Sequence, residues 1–281
     1  MFRQIIIGTA ALFGLASAAQ ATVEISTTAR GLFSSVRVVG QPLTSVGPVA
    51  PVSGRTSPGY SLNNSAASLA ASVGLGTVSG VTATLGLSSG AIASAASANG
   101  TTPLDTSSGS ASATVNNLDI GLVTSLLGVP TSILSLTAGQ VQSFTTVNKV
   151  GGVTTLSGQA ILSNLNLSVL GAPILNLGSN AQVAPNFVAY DKGGLKVTLN
   201  QQFASNFDST RVLITNAIGI SFSNYLLDGR SLSGSITVGQ SLAEFMDSSG
   251  DPVPEPAAWA QMLAGFGLAG AAARLRRALR A

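Results

Sequence analysis

Along the second half of the chain, apolar residues recur at every second position. Leu165, Leu167 and Val169 alternate with Asn166 and Ser168, Leu195, Val197 and Leu199 with Lys196 and Thr198, and Ile218, Ile220 and Phe222 with Gly219 and Ser221. A period of two sets one row of side chains in a core and the other in water, so these segments are predicted strands. Turn signals separate them at Lys149–Gly152, Asp191–Gly194 and Asp228–Arg230. The first of these makes Val141–Leu167 a long hairpin, which favours antiparallel pairing. Ala113–Ile120 lines up with Ala160–Leu167 at an offset of 47 residues, which suggests two similarly placed strands in a layered sheet. The fold expected is an all-β, antiparallel β-sandwich-like body, with a β-solenoid as the alternative. Towards the N-terminus the pattern is weaker. Pro48 and Pro51 confine Val46–Val52 to an edge or loop, and Ser94–Ser112, rich in Ser, Ala, Gly and Thr, reads as a surface loop.

Two apolar runs depart from this alternation. Met1–Gln4 carries one Arg, Ile5–Ala16 is apolar, and Ala19 and Ala21 supply a small-x-small site. These are the three parts of a secretory signal peptide, predicted to be a helix over 1–21 that signal peptidase removes before Thr22. At the other end, Asp247–Asp251 reads as a linker, Pro254-Glu255-Pro256 follows, and 257–273 is apolar with Trp259 at its entrance. Seventeen helical residues rise about 25 Å, enough to cross a bilayer core with snorkelling flanks. Arg274, Arg276, Arg277 and Arg280 then form a stop-transfer cluster. The domain division is therefore 1–21, a β-rich secreted body over 22–249, and a sorting segment over 250–281.

From Pro254 to Gly270 and through the Arg cluster, the tail closely resembles the PEP-CTERM sorting signal of exported Gram-negative proteins, many of them linked to exopolysaccharide. A similar tail is also named an ice-binding protein C-terminal motif. The resemblance implies that an exosortase-like membrane enzyme recognises Pro254, Glu255 and Pro256, which act as substrate. The body resembles the choice-of-anchor P family through Val46-Gly47-Pro48, Ser57-Pro58-Gly59-Tyr60, the Asn-Leu-Asp/Asn strands and Gly194–Asn200. That family brings no catalytic residues.

Composition narrows the chemistry. The chain of 281 residues has no Cys and no His, which removes disulfides, thiolate nucleophiles, Ser-His-Asp catalysis and the commonest transition-metal ligands. No cofactor or metal site is expected. Its net charge of +3 and pI near 9.7 are misleading. Arg3 and the four tail arginines are topology signals, and the body over 22–249, with eight Lys+Arg against eight Asp+Glu, is close to neutral, which speaks against nucleic acid as a partner. The carboxylates, from Glu24 to Asp251, lie mostly in turn-like or linker contexts, where Asp has its own local hydrogen bonds, which counts against the rival reading, a polysaccharide-active enzyme using a carboxylate pair. Ice binding ranks lower, since Thr145-Thr146 and Thr154-Thr155 are adjacent pairs rather than T-x-T. Phe144 and Phe222 read as core, and Tyr190 and Tyr225, beside turns, as the better contact residues. The expectation is a non-enzymatic protein transiently anchored in the membrane, then sorted to the cell surface or extracellular matrix, with exopolysaccharide or its own copies as partners.

Overall fold

The computed structural model describes residues 23–39, 44–56, 59–78, 81–99, 106–227 and 229–247. The signal-peptide residues, among them Ala19 and Ala21, and the sorting segment with Pro254, Glu255, Pro256, Trp259 and the four arginines lie outside the described residues, as do both predicted terminal helices.

Every described element is a strand. In chain order they are β1 (Val23–Val38), β2 (Thr44–Val49), β3 (Val52–Arg55), β4 (Tyr60–Ala66), β5 (Leu69–Val78), β6 (Val81–Ser89), β7 (Ile92–Asn99), β8 (Thr106–Leu126) and β9 (Val129–Val150). There follow β10 (Val153–Ser163), β11 (Leu165–Val169), β12 (Ala172–Leu177), β13 (Ala181–Gln182), β14 (Phe187–Lys192), β15 (Leu195–Phe207), β16 (Thr210–Leu227) and β17 (Arg230–Asp247). All pairings are antiparallel. One sheet has seven strands in the order β14-β15-β16-β17-β1-β2, with β3 also on β1. The other has ten, following β12-β11-β9-β8-β6-β5, with β4, β7, β10 and β13 extending the same rows. Neighbours are mostly joined by hairpins, and the sheets do not join into a closed barrel. The segment read as a loop, Ser94–Ser112, instead supplies most of β7 and the start of β8. Its inward residues Ser94, Ala96, Ala98, Ser107, Gly109 and Ala111 belong to a thin interior, where small side chains are needed.

The repeat has a direct structural counterpart. Ala113 of β8 and Ala160 of β10 both stand opposite Ser143 of β9, and Ile120 and Leu167 both stand opposite Leu136. The two copies flank one strand at matching heights. Asn117 and Asn164, at equivalent places in the repeat, have φ of +47° and +52°. Asn tolerates that conformation better than branched side chains do.

These two asparagines belong to a crease that crosses both sheets. In the ten-stranded sheet it runs through Gly90, Asn117, Gly139 and Asn164; a Cβ on Gly90 or Gly139 would sit 3.2 Å from the neighbouring Asn amide. In the seven-stranded sheet the ladders skip Asn200, Ala217, Gly239 and Gly31. At the crease the inward-facing set changes parity: Val115 is followed by Leu118, Ala138 by Val141 and Leu162 by Leu165, and in β16 the neighbours Ala217 and Ile218 are buried in succession. Each of the paired strands leaves one residue out of the ladder there at unchanged register, and that residue re-aims every side chain beyond it.

The crease divides the interior. On the side away from the body's chain ends, Leu85, Leu87, Ile120, Leu122, Leu134, Leu136, Leu165 and Leu167 meet Leu195, Val197, Ile220, Leu232 and Ile236 in one continuous cluster. On the side that holds the cross-strand partners Val23 and Asp247, the core breaks into two small clusters rich in Ala. There a Cβ on Gly109 would meet Ile25 Cγ2 at 2.5 Å, and one on Gly158 would collide with Thr215 Oγ1. The alternating apolar residues of β11, β15 and β16 are buried as the pattern predicts. Phe222 is core, but Phe144 is half-buried, on the outer row of β9 with neighbours Ser112 and Gln159.

Candidate functional site

The tyrosines of the body separate into two kinds. Tyr60 rivets the sheets: its hydroxyl accepts from Thr27 N at 2.9 Å, donates to the Gly54 carbonyl at 2.7 Å and lies 2.7 Å from Thr27 Oγ1. Tyr190 and Tyr225, 35 positions apart, meet at one end of the seven-stranded sheet because β14 and β16 both flank β15. Tyr225 stands edge-on to Phe222, ring centroids 6.3 Å apart. Burial raises its phenol above the usual tyrosine range, and the neighbouring Tyr190 adds to the shift. Both rings pack against the core, so they offer an edge rather than a flat stacking platform.

The carboxylates are spread out. Glu24 pairs with Arg55 at 3.0 Å, Asp247 with Lys149 at 3.4 Å and Asp191 with Lys196 at 3.6 Å. Among the described carboxylates, Asp119 lies in a strand as its repeat suggested, Glu24, Asp191, Glu244 and Asp247 are strand residues too, and Asp208 sits in a turn, so most lack the turn context expected of them. Among the described residues no three Asp or Glu side chains gather to hold a metal.

The outer faces of the two sheets differ in chemistry. Among the described residues, the strands of the seven-stranded sheet carry eleven charged side chains, and those of the ten-stranded sheet carry two, Asp119 and Lys149. Lys149 is already paired with Asp247. On the seven-stranded sheet an amide ladder runs along the crease: Arg30 donates to Gln240, Gln240 to Asn216 at 2.7 Å, and Asn216 to Gln201 at 3.0 Å. These side chains satisfy one another.

The outer face of the ten-stranded sheet is built from small hydroxyl and amide residues. One row crosses six strands as Ala70, Ser88, Asp119, Thr137, Asn166 and Asn176. The next reads Ser72, Gly86, Gly121, Ser135 and Ser168. With no side chains at Gly86 and Gly121, the surface sinks into a depression of about 430 Å³, edged by Ser72, Thr84, Ser88 and Asp119. A second hollow of about 250 Å³ lies beyond the crease, edged by Asn63, Asn64, Ser112 and Thr114. Hydroxyls and amides both donate and accept, so such a surface can exchange its water for the hydroxyls of a sugar polymer without desolvating a charge. Sequence reasoning found the strands but missed this face. The available signal was the absence of charge from Tyr60 to Gln182 apart from Asp105, Asp119 and Lys149.

The chain matches no protein-family model and no curated protein. Among solved structures, the crystal structure of Ail, the attachment invasion locus protein of Yersinia pestis, covers 78% of this chain and 97% of its own, at 8% identity and a TM-score of 0.14. So low a score carries no argument about fold or function.

Proposed function

We propose that the protein is an exported, non-enzymatic surface or matrix component, and that its β-sandwich body contacts neutral exopolysaccharide through the outer face of the ten-stranded sheet. The signal peptide is cut after Ala21, and segment 257–273 holds the chain transiently in the inner membrane. An exosortase-like enzyme then reads Pro254, Glu255 and Pro256, with Trp259 at the membrane interface and Arg274, Arg276, Arg277 and Arg280 held on the cytoplasmic side. The observation that carries the body's role is the chemistry of that outer face: broad, rich in Ser, Thr, Asn and Gly, and with Asp119 as its unpaired charge among the described residues. Side-by-side exit of the chain at Val23 and Asp247 also fits a body tethered at one end.

Two measurements test the reading. Co-sedimentation with the producing organism's exopolysaccharide should retain the protein, and lysines at Ser88, Gly121 and Ser135 should weaken retention several-fold. Wild-type protein left in the supernatant overturns the polysaccharide role. Mass spectrometry of the protein recovered from the cell surface should show loss of the residues after the Pro-Glu-Pro region. An intact C-terminus overturns the sorting step.

A further inference from the structure

The lateral edges of the two sheets are not equally protected. β14 presents Asp191 and Lys192 and is bulged between Val188 and Tyr190. β2 contains Pro48, which has no N–H to offer, and β3 carries Arg55. β12 contains Pro173 and a register shift. β4 is flanked by the loop and strand around β3: Asn64 Nδ2 donates to the Pro51 carbonyl at 2.8 Å, and Tyr60 reaches Gly54. Charges, prolines, bulges and covering loops are the devices by which proteins keep sheet edges from pairing with other chains.

β5 has fewer of them. Its ten residues, Leu-Ala-Ala-Ser-Val-Gly-Leu-Gly-Thr-Val, include no charge and no proline, and its strand partner is β6. The register shift between Gly74 and Thr77 bends the far end and leaves Leu69–Val73 regular. Ala70 and Ser72 are exposed, while Leu69, Ala71 and Val73 are half-buried against the core.

We propose that β5 pairs antiparallel with β5 of a second copy of this chain, joining two ten-stranded sheets across a two-fold axis. A second copy is the occupant that fits, because an uncharged strand meets itself without like-charge contact. The same register would cover Leu69, Ala71 and Val73 of both copies at once. The pairing deepens the proposed matrix role by doubling the polysaccharide face, but it requires no polysaccharide.

Sedimentation velocity of the full chain in detergent, without polysaccharide, separates this proposal from that role. Wild type and the outer-face control Ser221→Lys should sediment as dimers, and the double variant Ala70→Lys/Ser72→Lys as a monomer with an unchanged circular dichroism spectrum. A monomeric wild type overturns the proposal, and so does a dimer that the two edge lysines leave intact. Should the double variant misfold, the Cys-free chain permits a second test. Ala70→Cys and Ser72→Cys chains, mixed and oxidised, should yield a disulfide-linked dimer that Ser221→Cys does not, and failure to link overturns the pairing.

Discussion

The two halves of the interior, on either side of the crease, are held by different forces. In the half away from the chain ends, Leu, Ile and Val from both sheets bury large aliphatic side chains, each contributing about 2 kcal/mol by leaving water. In the half that contains Val23 and Asp247, Ala, Gly, Ser and Thr leave little apolar area to bury, and polar contacts cross between the sheets instead. Thr145 Oγ1 lies 2.9 Å from Thr215 Oγ1 and 2.8 Å from Ser241 Oγ, and Gln202 Nε2 donates to the Gly158 carbonyl at 2.8 Å. Small residues and hydrogen bonds go together, because only a thin interior brings such short side chains into reach. Each bond adds about 1 kcal/mol net, and its loss costs more because the partner stays buried.

The largest effect should come from the aliphatic half. Leu136→Ala is expected to lower unfolding free energy by about 3 kcal/mol, read from urea denaturation, since the cavity has rigid sheet on both sides. A loss under ~1 kcal/mol would show that this half collapses as readily as the thin one. Next, Thr145→Val should cost about 2 kcal/mol by stranding Thr215 and Ser241. The triple change Thr145→Val/Thr215→Val/Ser241→Ala should recover part of that loss. If the three changes simply add, the polar bridge is not a coupled unit.

The boundary between the halves can be tested at Asn117. Asn117→Ala should destabilise by about 1 kcal/mol, because alanine pays for the left-handed backbone, whereas Asn117→Gly should be close to neutral. Equal losses from both would place the value of Asn117 in its side-chain amide. A smaller effect of opposite sign is expected from Ser143→Ala. Ser94, Ser107 and Ser143 carry buried hydroxyls without a hydrogen-bond partner among the described residues. Removing one should raise the thermal midpoint slightly, by an amount worth about 0.5 kcal/mol.

The slightest effect is the pH response of Tyr225. Its phenol is raised above the ordinary tyrosine value of 10.0 in the folded chain, so the folded state holds that proton more tightly than the unfolded state. The associated stability is fully present below pH 10.0 and is lost as pH rises through the folded value. Denaturation midpoints at neutral and strongly alkaline pH should fall less in Tyr225→Phe than in wild type. Equal slopes would show that other groups govern the alkaline loss.

How much was legible varied from element to element. Alternation exposed β11, β15 and β16, and glycine pairs located the turns after Val150 and Lys192. The long strands β8 and β9 were harder to read, because the crease flips the inward parity at Asn117 and Gly139 and breaks the period that reveals a strand. The Ser/Ala-rich stretch over β7 looked like a loop for a different reason. Its inward residues Ser94, Ala96 and Ala98 are buried by the closeness of the opposite sheet, not by their own hydrophobicity. Of the candidate face, the scarcity of charge was visible, but the rows across it required the register of six strands.

By itself, the sequence determined the all-β antiparallel character of the body, because period two and its turns are local properties written in consecutive residues. It also marked the two terminal segments by composition. Only the tertiary structure decided which strands share a sheet, that the two repeats flank β9, and that the strands of one sheet carry two charges while those of the other carry eleven. Those properties depend on pairing between residues as much as 210 positions apart and more, as in Arg30 with Gln240. Register and closeness of packing are fixed by the sum of many such pairs rather than by any one segment.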